Sequence, residues 1–434
     1  MHAVHPGFLG RVLTPYRSTL ALLFCSYVVA FIDRGLVSVA GAPIKHDLGL
    51  SDTEFGLLNG TAFVALYCVC GVLCGWLADR TDRRAVISVG LLVWSAMTAA
   101  CALAGSFETF FIARVGVGLG EACLVPAGIS LLGSVTPRRQ MARAVAIFLM
   151  GAAVGNVFAL LVGGRILDRM GAAMIPGLGQ IAPWRTLFLL AGIPGVVLAA
   201  LLMSIREPAR DASLVRPWGA LRVASTLLYE KRRAYLPLTI ATACIITLSQ
   251  AQAAWIPLFY TRAFGLLPGE AAQIVGFMFL LSAPAGQWLG GLLIDQMRAR
   301  DIAAAPHIVQ AGCSILCIPA ALIFCTARQL GVSEAAYAIF NLIVFAATPA
   351  GMTGWQLLTP ERSQGLIVAL LVAVVTLIGV GVGPVLVGAL TDHLIGREGL
   401  GISLLCVIVG AAIAGFIAAL SGRRAFAQSL TAAQ

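Results

Sequence analysis

Long apolar segments, separated by short polar breaks, recur along the whole sequence. Each is about as long as the roughly 20 apolar residues that a helix needs to cross the hydrocarbon core of a membrane. Twelve such segments are present, so we expect twelve transmembrane helices. The predicted spans are residues 18–43, 54–77, 85–105, 109–133, 141–164, 186–205, 236–260, 271–294, 306–326, 333–356, 364–389 and 399–421.

The composition agrees with this pattern. Of the 434 residues, 59% are apolar and only 11% are charged, and the mean hydropathy is +0.94. Soluble proteins are about a quarter charged. The first apolar segment is too long for a signal peptide and lacks a small-residue cleavage site, so we expect it to remain as the first transmembrane helix. The fold class expected is an all-α, multi-pass membrane protein.

Basic residues concentrate on one side of the predicted helices. With twelve spans both chain ends lie on the same side, and that side carries most of the 29 Lys and Arg residues. Because short basic loops stay in the cytoplasm, we expect both termini to be cytoplasmic and the protein to lie in the inner (plasma) membrane. The net charge of +10 then reflects topology and contact with anionic lipid headgroups, and no nucleic-acid partner is expected.

The sequence repeats itself after about half its length. The second predicted span ends in GWLADRTDRR (residues 75–84), and the eighth ends in GGLLIDQMRAR (residues 290–300). A weaker echo pairs GGRILD (residues 163–168), after the fifth span, with VGALTD (residues 387–392), after the eleventh. Two related bundles are typical of secondary transporters, which bind substrate near the membrane midplane between the halves.

The repeat predicts a division into two six-helix bundles. A basic linker containing WGALRVASTLLYEKRR, which is expected to include a short surface helix, separates them. The predicted parts are an N-terminal bundle at 1–205, a cytoplasmic linker at 206–234, a C-terminal bundle at 235–425 and a cytoplasmic tail at 426–434.

Four charged side chains lie deep in the predicted spans, namely Asp33, Arg34, Arg114 and Glu121. A charge at mid-membrane costs about 2.5–3.5 kcal/mol on insertion scales. Arg114 and Glu121 are seven residues apart, which places them on one helix face within roughly 20° and about 10 Å of each other. The adjacent Asp33 and Arg34 point about 100° apart. Two acids and two bases sum to zero charge, which indicates mutual pairing.

Two interpretations of these charges remain open. The pairs either fasten the first span to the fourth, or they mark a pathway for protons and substrate. Buried ion pairs stabilise a fold poorly compared with apolar packing, and acids within membranes usually mark such pathways. We therefore favour the second interpretation.

The turn at residues 75–84 resembles the signature loop between the second and third helices of the major facilitator superfamily, and it lies at that position here. The resemblance implies a conformational latch that holds the two halves in the outward-facing state. Its residues are Gly75, Asp79, Arg80, Arg83 and Arg84.

Longer stretches resemble the Spinster-like branch of that superfamily, among them FIDRGLVSVAGAPIKHDLGL, ARVGVGLGEACLVPAGISLL, AAWIPLFYTRAFGL and GVGPVLVGALTDHL. The resemblance implies secondary active transport, coupled to protons, of an amphipathic or anionic small molecule with a lysolipid-like or sphingolipid-like head group. It links Asp33, Arg114 and Glu121 to protonation and polar-head binding, and Arg34 lies beside them. We therefore expect proton coupling at Asp33 and Glu121 and head-group binding at Arg114 and Arg34.

One position departs from the pattern of antiporter-type members, which often carry Gly-Pro in the fifth span. Here Asn156 stands where that proline would be, and a Gly-Pro appears instead at residues 383–384 in the eleventh span. The sequence therefore does not decide between import and export.

Polar residues of the second half are further candidates for substrate binding, namely Ser249, Gln250 and Trp255 in the seventh span and Trp355 in the tenth. Interhelical hydrogen bonding or interfacial anchoring is the commoner role of such residues, and it stays an alternative for each of them.

The alternative within transport is an organic-anion:proton symporter of the anion:cation symporter type, which shares a D-R in the first span and a GEA-like run in the fourth. The sequence has no nucleotide-binding loop, no HExxH and no G-x-S-x-G with a partner histidine, so we expect neither an enzyme nor a cofactor or metal site. The expected partners are a small-molecule or lipid substrate, protons and membrane lipids, and the protein is expected to be a monomer.

Overall fold

The computed structural model describes residues 15–78, 80–170, 173–175, 179–207 and 219–431. Within these residues, 12 helical spans are long and apolar enough to cross a membrane, one for each predicted segment. The predicted all-α fold with twelve transmembrane helices is therefore confirmed.

The first six spans are built from ten helices. A 3-10 turn at Arg138–Gln140 precedes α8, and a π-helical turn at Ala159–Gly163 joins α8 to α9. A short antiparallel hairpin, β1 (Ala173–Ile175) and β2 (Gly179–Ile181), precedes α10. The helices are α1 (Pro15–Val39), α2 (Gly41–Leu48), α3 (Asp52–Asn59), α4 (Thr61–Ala78), α5 (Arg83–Leu103), α6 (Phe107–Glu121), α7 (Leu124–Val135), α8 (Met141–Phe158), α9 (Gly164–Arg169) and α10 (Pro183–Ser204).

The second half is more regular. A π-helical turn at Thr391–Ile395 follows α16, and a 3-10 turn at Arg397–Gly399 precedes α17. The helix expected in the linker is present as α11, where Ala224 is buried in the same apolar core as Tyr235 and Ile367. The helices are α11 (Gly219–Glu230), α12 (Arg232–Phe264), α13 (Pro268–Arg298), α14 (Ala305–Thr326), α15 (Leu330–Leu358), α16 (Glu361–Leu390) and α17 (Leu400–Thr431).

Prolines divide two spans that the hydrophobic pattern predicts as continuous. Proline cannot donate to the carbonyl four residues earlier, and its ring crowds that carbonyl. In a continuous helix, the backbone nitrogen of Pro43 would face the carbonyl of Val39, and α1 ends at Val39. The nitrogen of Pro126 would face the carbonyl of Ala122, and α6 ends one residue earlier. The first span therefore stops four residues short of its predicted end at residue 43, and the fourth consists of two helices.

Capping residues account for several helix starts. Ser51 and Glu54 form a capping box at the start of α3, in which each side chain accepts from the backbone N–H of the other residue. Asp82 accepts from the N–H groups of Arg84 and Ala85 at the start of α5. The polar breaks in the sequence thus supply side chains that accept hydrogen bonds from the free N–H groups in the first turns of these helices.

The helices cluster into two compact units. Within the described residues, unit 1 contains residues 15–50, 62–207 and 267–273, and unit 2 contains residues 51–61, 219–266 and 274–431. Thus α3 belongs to unit 2 although it precedes α4 of unit 1, and the first turn of α13 belongs to unit 1. The predicted four-part division stays a prediction, and part of its linker lies outside the described residues.

The weaker echo of the repeat ends in an aspartate that caps another helix. In unit 1, Asp168 Oδ1 accepts a hydrogen bond of 2.9 Å from the N–H of Gly269 in the first turn of α13. In unit 2, Asp392 accepts bonds of 3.1 Å and 2.6 Å from the N–H groups of Asp52 and Thr53 at the start of α3. Carboxylates are favourable at helix N-termini, whose free N–H groups carry partial positive charge.

The glycine four residues before each aspartate allows the capped helix to approach closely. A Cβ on Gly164 would lie 3.0 Å from the carbonyl oxygen of Gly269, and one on Gly388 would lie 2.3 Å from that of Asp52. In each copy of this Gly-x3-Asp sequence, the first turn of another helix packs against the glycine. The aspartate then caps that turn.

Candidate functional site

The four charged residues of the spans meet within unit 1, where two ion pairs join α1 to α6. Arg114 Nη1 donates to Asp33 Oδ2 at 3.0 Å, and Arg34 Nε donates to Glu121 Oε2 at 2.8 Å. The mutual pairing expected from the sequence is therefore present, with each pair joining the first span to the fourth. Glu121 is the last residue of α6, so it lies at the break that Pro126 introduces.

The pair between Asp33 and Arg114 is sealed from solvent. Each side chain is only 1% exposed. The hydroxyl of Thr98 on α5 donates to the second oxygen of Asp33, Oδ1, at 3.0 Å. Both carboxylate oxygens of Asp33 are thus occupied, as a buried carboxylate requires.

The pair between Arg34 and Glu121 is more open on its arginine side. The Arg34 side chain is 24% exposed, whereas that of Glu121 is 1% exposed. The Arg34 guanidinium lies 4.1 Å from the ring centroid of Phe63, 4.5 Å from that of Phe31 and 5.3 Å from that of Tyr67. Cation–π attraction therefore holds Arg34 at an aromatic surface. Of the two arginines in the cluster, Arg34 is the one that solvent reaches.

Glu121 has one oxygen in use and one free. Nε and Nη2 of Arg34 both donate to Oε2. The other oxygen, Oε1, is buried and has no hydrogen-bond partner among the described residues. An unmet buried acceptor costs about 1–3 kcal/mol, and more when it is charged. Oε1 is therefore an acceptor whose hydrogen-bonding capacity is unmet within the cluster.

The π-helical turn of the fifth span lies beside this cluster. Gly35, which directly follows Arg34, faces that turn closely enough that a Cβ on it would lie 2.7 Å from the Cβ of Ala159. Asn156, the residue in place of the proline of antiporter-type members, is 3.8 Å from the same point. Single π-helical turns occur frequently at functional sites.

Four residues of this cluster were absent from the predicted set. Phe63 and Tyr67 are four residues apart on α4, and that spacing places them on one helix face. Phe31 and Arg34 are three residues apart on α1, so they also share one helix face. Thr98 lies in an otherwise apolar stretch of α5 and gives no signal in the sequence.

Two residues of the predicted latch lie along α4 and the turn that follows it. A Cβ on Gly75 would contact that of Pro126 at 3.5 Å, so α4 passes close to α7 here. Arg80 stacks on Trp76, with its guanidinium carbon 4.4 Å from the ring centroid. Asp79 lies outside the described residues.

The two latch arginines of α5 bind within unit 1. Arg83 pairs with Glu207 at 2.8 Å and also donates to the carbonyl of Ser130 at 3.0 Å. Arg84 pairs with Asp82 at 2.6 Å and donates to the carbonyl of Ile205. The hydrogen bond from Arg84 lowers the pKa of Asp82, which lies between two spans. These arginines join the ends of three spans, and their role as a latch stays a prediction.

The candidates of the second half all belong to unit 2. Trp255 is fully buried, donates its indole N–H to the carbonyl of Pro384 at 2.9 Å and packs edge-on against Phe55. Trp355 is 1% exposed and belongs to an apolar core. Ser249 is 8% exposed. Trp255 is held by packing and a hydrogen bond, whereas the buried indole N–H of Trp355 has no partner among the described residues. Substrate binding by any of the four, including the half-buried Gln250, stays a prediction.

A buried polar network in unit 2 was also missed. Tyr337 donates its hydroxyl to Gln252 Oε1, and Gln252 Nε2 donates to Asn341 Oδ1 at 3.4 Å. All three side chains are at most 1% exposed. Gln252 lies two residues after Gln250 in the same polar run, so the run was recognised but the buried glutamine was not.

Comparison with known proteins identifies the family. The model of the Major Facilitator Superfamily matches residues 23–384. An MFS-type efflux pump of Mycolicibacterium smegmatis is 28% identical over 403 residues, which cover 89% of this chain and 88% of that protein. A probable L-galactonate transporter of Escherichia coli is 24% identical over 367 residues, or 80% of this chain and 76% of that protein.

Among solved structures, a bacterial homologue of the human lysosomal transporter Spinster, in an inward-facing and occupied conformation, is 27% identical with a TM-score of 0.81. The match covers 95% of this chain and 97% of that chain. The charged pairs of the first and fourth spans occur in the stretches whose sequence is Spinster-like. The chain therefore belongs to the Major Facilitator Superfamily and is similar in sequence and fold to its Spinster-type transporters.

Proposed function

We propose that this protein is a proton-coupled secondary active transporter of amphipathic or anionic small molecules, such as lysolipids or lipids with a sphingolipid-like head group, and that it works by alternating access. The observation that carries the proposal is the pair between Arg34 and Glu121, in which a partly exposed cation neutralises a buried carboxylate with one oxygen free. A sphingosine-1-phosphate transporter of Xenopus tropicalis, 23% identical to this chain over 244 residues, supports the substrate class.

Coupling follows from charge balance at this pair. An anionic head group that binds Arg34 competes with Glu121 for the guanidinium. The released carboxylate is buried, so its ionised form loses the interaction that stabilised it, and it takes up a proton. The anion adds one negative charge and the proton adds one positive charge. The cluster therefore remains neutral in both states, as a site that moves through a low-dielectric region requires.

The second pair has a different role in this proposal. Arg114, the other predicted head-group ligand, is buried with Asp33 in this conformation, so a head group would reach it only when that pair opens. The Asp33 carboxylate and the Arg114 guanidinium fix α1 against α6 and set the position of the next residue, Arg34. Asp33 contributes to coupling because any proton it takes would release Arg114 toward Glu121 on the same face of α6.

The aromatic residues around Arg34 favour an amphipathic substrate. Phe31, Phe63 and Tyr67 surround the guanidinium with apolar surface, so a ligand there gains from an anionic group and from an attached hydrocarbon part. A small, fully hydrated anion would gain only the first contribution.

The test begins with a thermal-shift screen of lipids and metabolites on the purified protein. Compounds that stabilise the wild-type protein are then tested for transport in proteoliposomes, with and without a pH gradient. Glu121→Gln is compared with Asp47→Asn, which makes the same acid-to-amide change at an exposed ion pair with Arg185 in the same unit. The proposal requires that only Glu121→Gln loses the dependence on the pH gradient.

An organic-anion:proton symporter is the second candidate, and the similarity to the probable L-galactonate transporter favours it. The same arginine and carboxylate would serve a sugar-acid anion. Uptake of small carboxylates with no response to lysolipids, driven by an inward proton gradient, would identify this activity.

Topology and the latch complete the proposal. Both termini are cytoplasmic, the protein lies as a monomer in the inner membrane, and Gly75, Asp79, Arg80, Arg83 and Arg84 stabilise the outward-facing state. The excess of basic residues on one side supports this orientation.

A further inference from the structure

A cavity of about 550 Å³ lies in unit 1, away from the four buried charges. It opens where α1 begins, α7 ends and α8 begins, at the end of the bundle predicted to be cytoplasmic. Its polar lining is Tyr16, Arg17, Gln140 and Arg143, and its apolar lining includes Leu20 and Ile147.

The two arginines of this cavity are uncompensated. Neither Arg17 nor Arg143 forms an ion pair with any acidic side chain in the described part of the chain. Elsewhere in unit 1 the arginines that line packed regions are paired with carboxylates, namely Arg34, Arg83, Arg84, Arg114 and Arg185. Among the described residues that line it, the cavity therefore has two basic side chains and no acidic one.

The lining combines this charge with hydrogen-bond donors and hydrocarbon. The Tyr16 hydroxyl and the Gln140 amide can donate to an oxyanion. Leu20 and Ile147 present apolar surface beside them. The volume falls in the range of about 300–1,000 Å³ that is typical of sites for organic ligands, and it exceeds what a bare inorganic anion fills.

We propose that this cavity binds the phosphate head group of an anionic phospholipid. Arg17 and Arg143 bind the phosphate, Tyr16 and Gln140 donate hydrogen bonds to it, and the acyl chains lie toward Leu20 and Ile147. The position of the cavity, at the ends of transmembrane helices on the side rich in basic residues, is the level at which lipid headgroups lie, and basic pockets between helices bind such headgroups. The site is independent of the transport proposal.

The test is native mass spectrometry of the full-length protein in detergent. Phosphatidylglycerol, phosphatidylcholine with the same acyl chains, or inorganic phosphate is added in graded amounts. The variants are R143Q and R17Q/R143Q, and the matched control is R298Q/R300Q, which removes two exposed charges from unit 2 on the same predicted side. Thermal unfolding in lipid-free detergent checks that each variant is folded.

Wild type and R298Q/R300Q should retain phosphatidylglycerol in preference to phosphatidylcholine. R143Q should bind it about 5-fold more weakly and R17Q/R143Q about 30-fold more weakly, since each basic residue contributes about 1 kcal/mol to binding an anionic headgroup. Equal retention of the two lipids, or unchanged binding by R17Q/R143Q, would overturn the proposal. Displacement of bound phosphatidylglycerol by inorganic phosphate at equal concentration would assign the cavity to a soluble anion and overturn the lipid assignment.

Discussion

Both hydrogen bonds from Arg34 to Glu121 end on the same carboxylate oxygen, Oε2. Glu121 Oε1 is buried and without a partner among the described residues, whereas Asp33 has both oxygens bonded. The two ion pairs therefore have different capacities. The Asp33 carboxylate has both oxygens bonded, whereas the Glu121 carboxylate leaves one oxygen unbonded beside a cation that solvent reaches.

The first prediction separates the two arginines. Arg34→Gln should abolish binding of an anionic ligand but leave the protein folded, because its partner Glu121 can be neutralised by a proton. The measurement is ligand-dependent thermal shift together with the unfolding midpoint of the free protein. A ligand-induced shift of wild-type size in Arg34→Gln would remove Arg34 from the binding site.

Arg114→Gln should instead destabilise the protein. It leaves Asp33 buried without its cation, and breaking one side of a buried pair costs about 3–5 kcal/mol. The double variant Asp33→Asn/Arg114→Gln should recover much of this loss, because no unpaired charge is left. Unfolding in denaturant measures all three proteins, and additive losses in the double variant would contradict the pairing.

The Gly-x3-Asp sequences predict a local effect on stability in unit 2. Gly388→Ala places a Cβ 2.3 Å from the carbonyl oxygen of Asp52, so α3 must move and the caps from Asp392 are lost. Gly410→Ala is the control, because a Cβ there meets nothing within 4 Å. Removing a helix cap costs about 0.5–2 kcal/mol, so Gly388→Ala should unfold at lower temperature and Gly410→Ala should not. Equal midpoints would show that α3 accommodates the methyl group.

Topology is tested with single cysteines in a cysteine-free background. Ser225 on α11 and Gln329 between α14 and α15 are both exposed and lie on opposite predicted sides. In sealed right-side-out vesicles a membrane-impermeant reagent should label Gln329→Cys strongly and Ser225→Cys only after permeabilisation. The reverse pattern would invert the orientation.

The latch predicts a shift between transport states. Asp79→Asn removes a charge that the family resemblance assigns to the outward-facing state, so probes on the cytoplasmic ends of the two bundles should move apart as the inward-facing population grows. Glu230→Gln is the control, since it removes an exposed carboxylate of α11 on the same predicted side that forms no ion pair with a latch residue in the described part of the chain. Unchanged distances in folded Asp79→Asn protein would reduce Asp79 to a loop residue.

The sequence predicted the number of helices and the pairing of the four charges for clear physical reasons. Apolar length is a local property, and the seven-residue spacing of Arg114 and Glu121 fixes their common face. Which aromatic rings surround Arg34 depends on the packing of α4 against α1, and no local pattern specifies it. The echo of Gly-x3-Asp was visible, but the helix that each copy caps lies far away in sequence: Asp392 is bonded to Thr53.

The break in the fourth span coincides with a proline, but proline alone does not predict a break, because Pro194 and Pro384 lie inside continuous helices. Pro126 marks the end of α6 by the same rule that Pro43 applies to α1. A window of mean hydropathy does not register proline geometry, so both spans were predicted as continuous. This matters for function, because the break places Glu121 at a helix end.

The measurement that tests the central claim most directly is transport by Glu121→Gln in proteoliposomes, with a ligand found by thermal shift, as a function of an imposed pH gradient. The amide keeps the size of the side chain but cannot gain or lose a proton in this range. The account predicts that the variant still binds the ligand and exchanges it across the membrane at equal pH, while a pH gradient no longer drives accumulation, and that Asp47→Asn behaves as wild type. Accumulation by Glu121→Gln with the full dependence on the pH gradient would contradict proton coupling at Glu121.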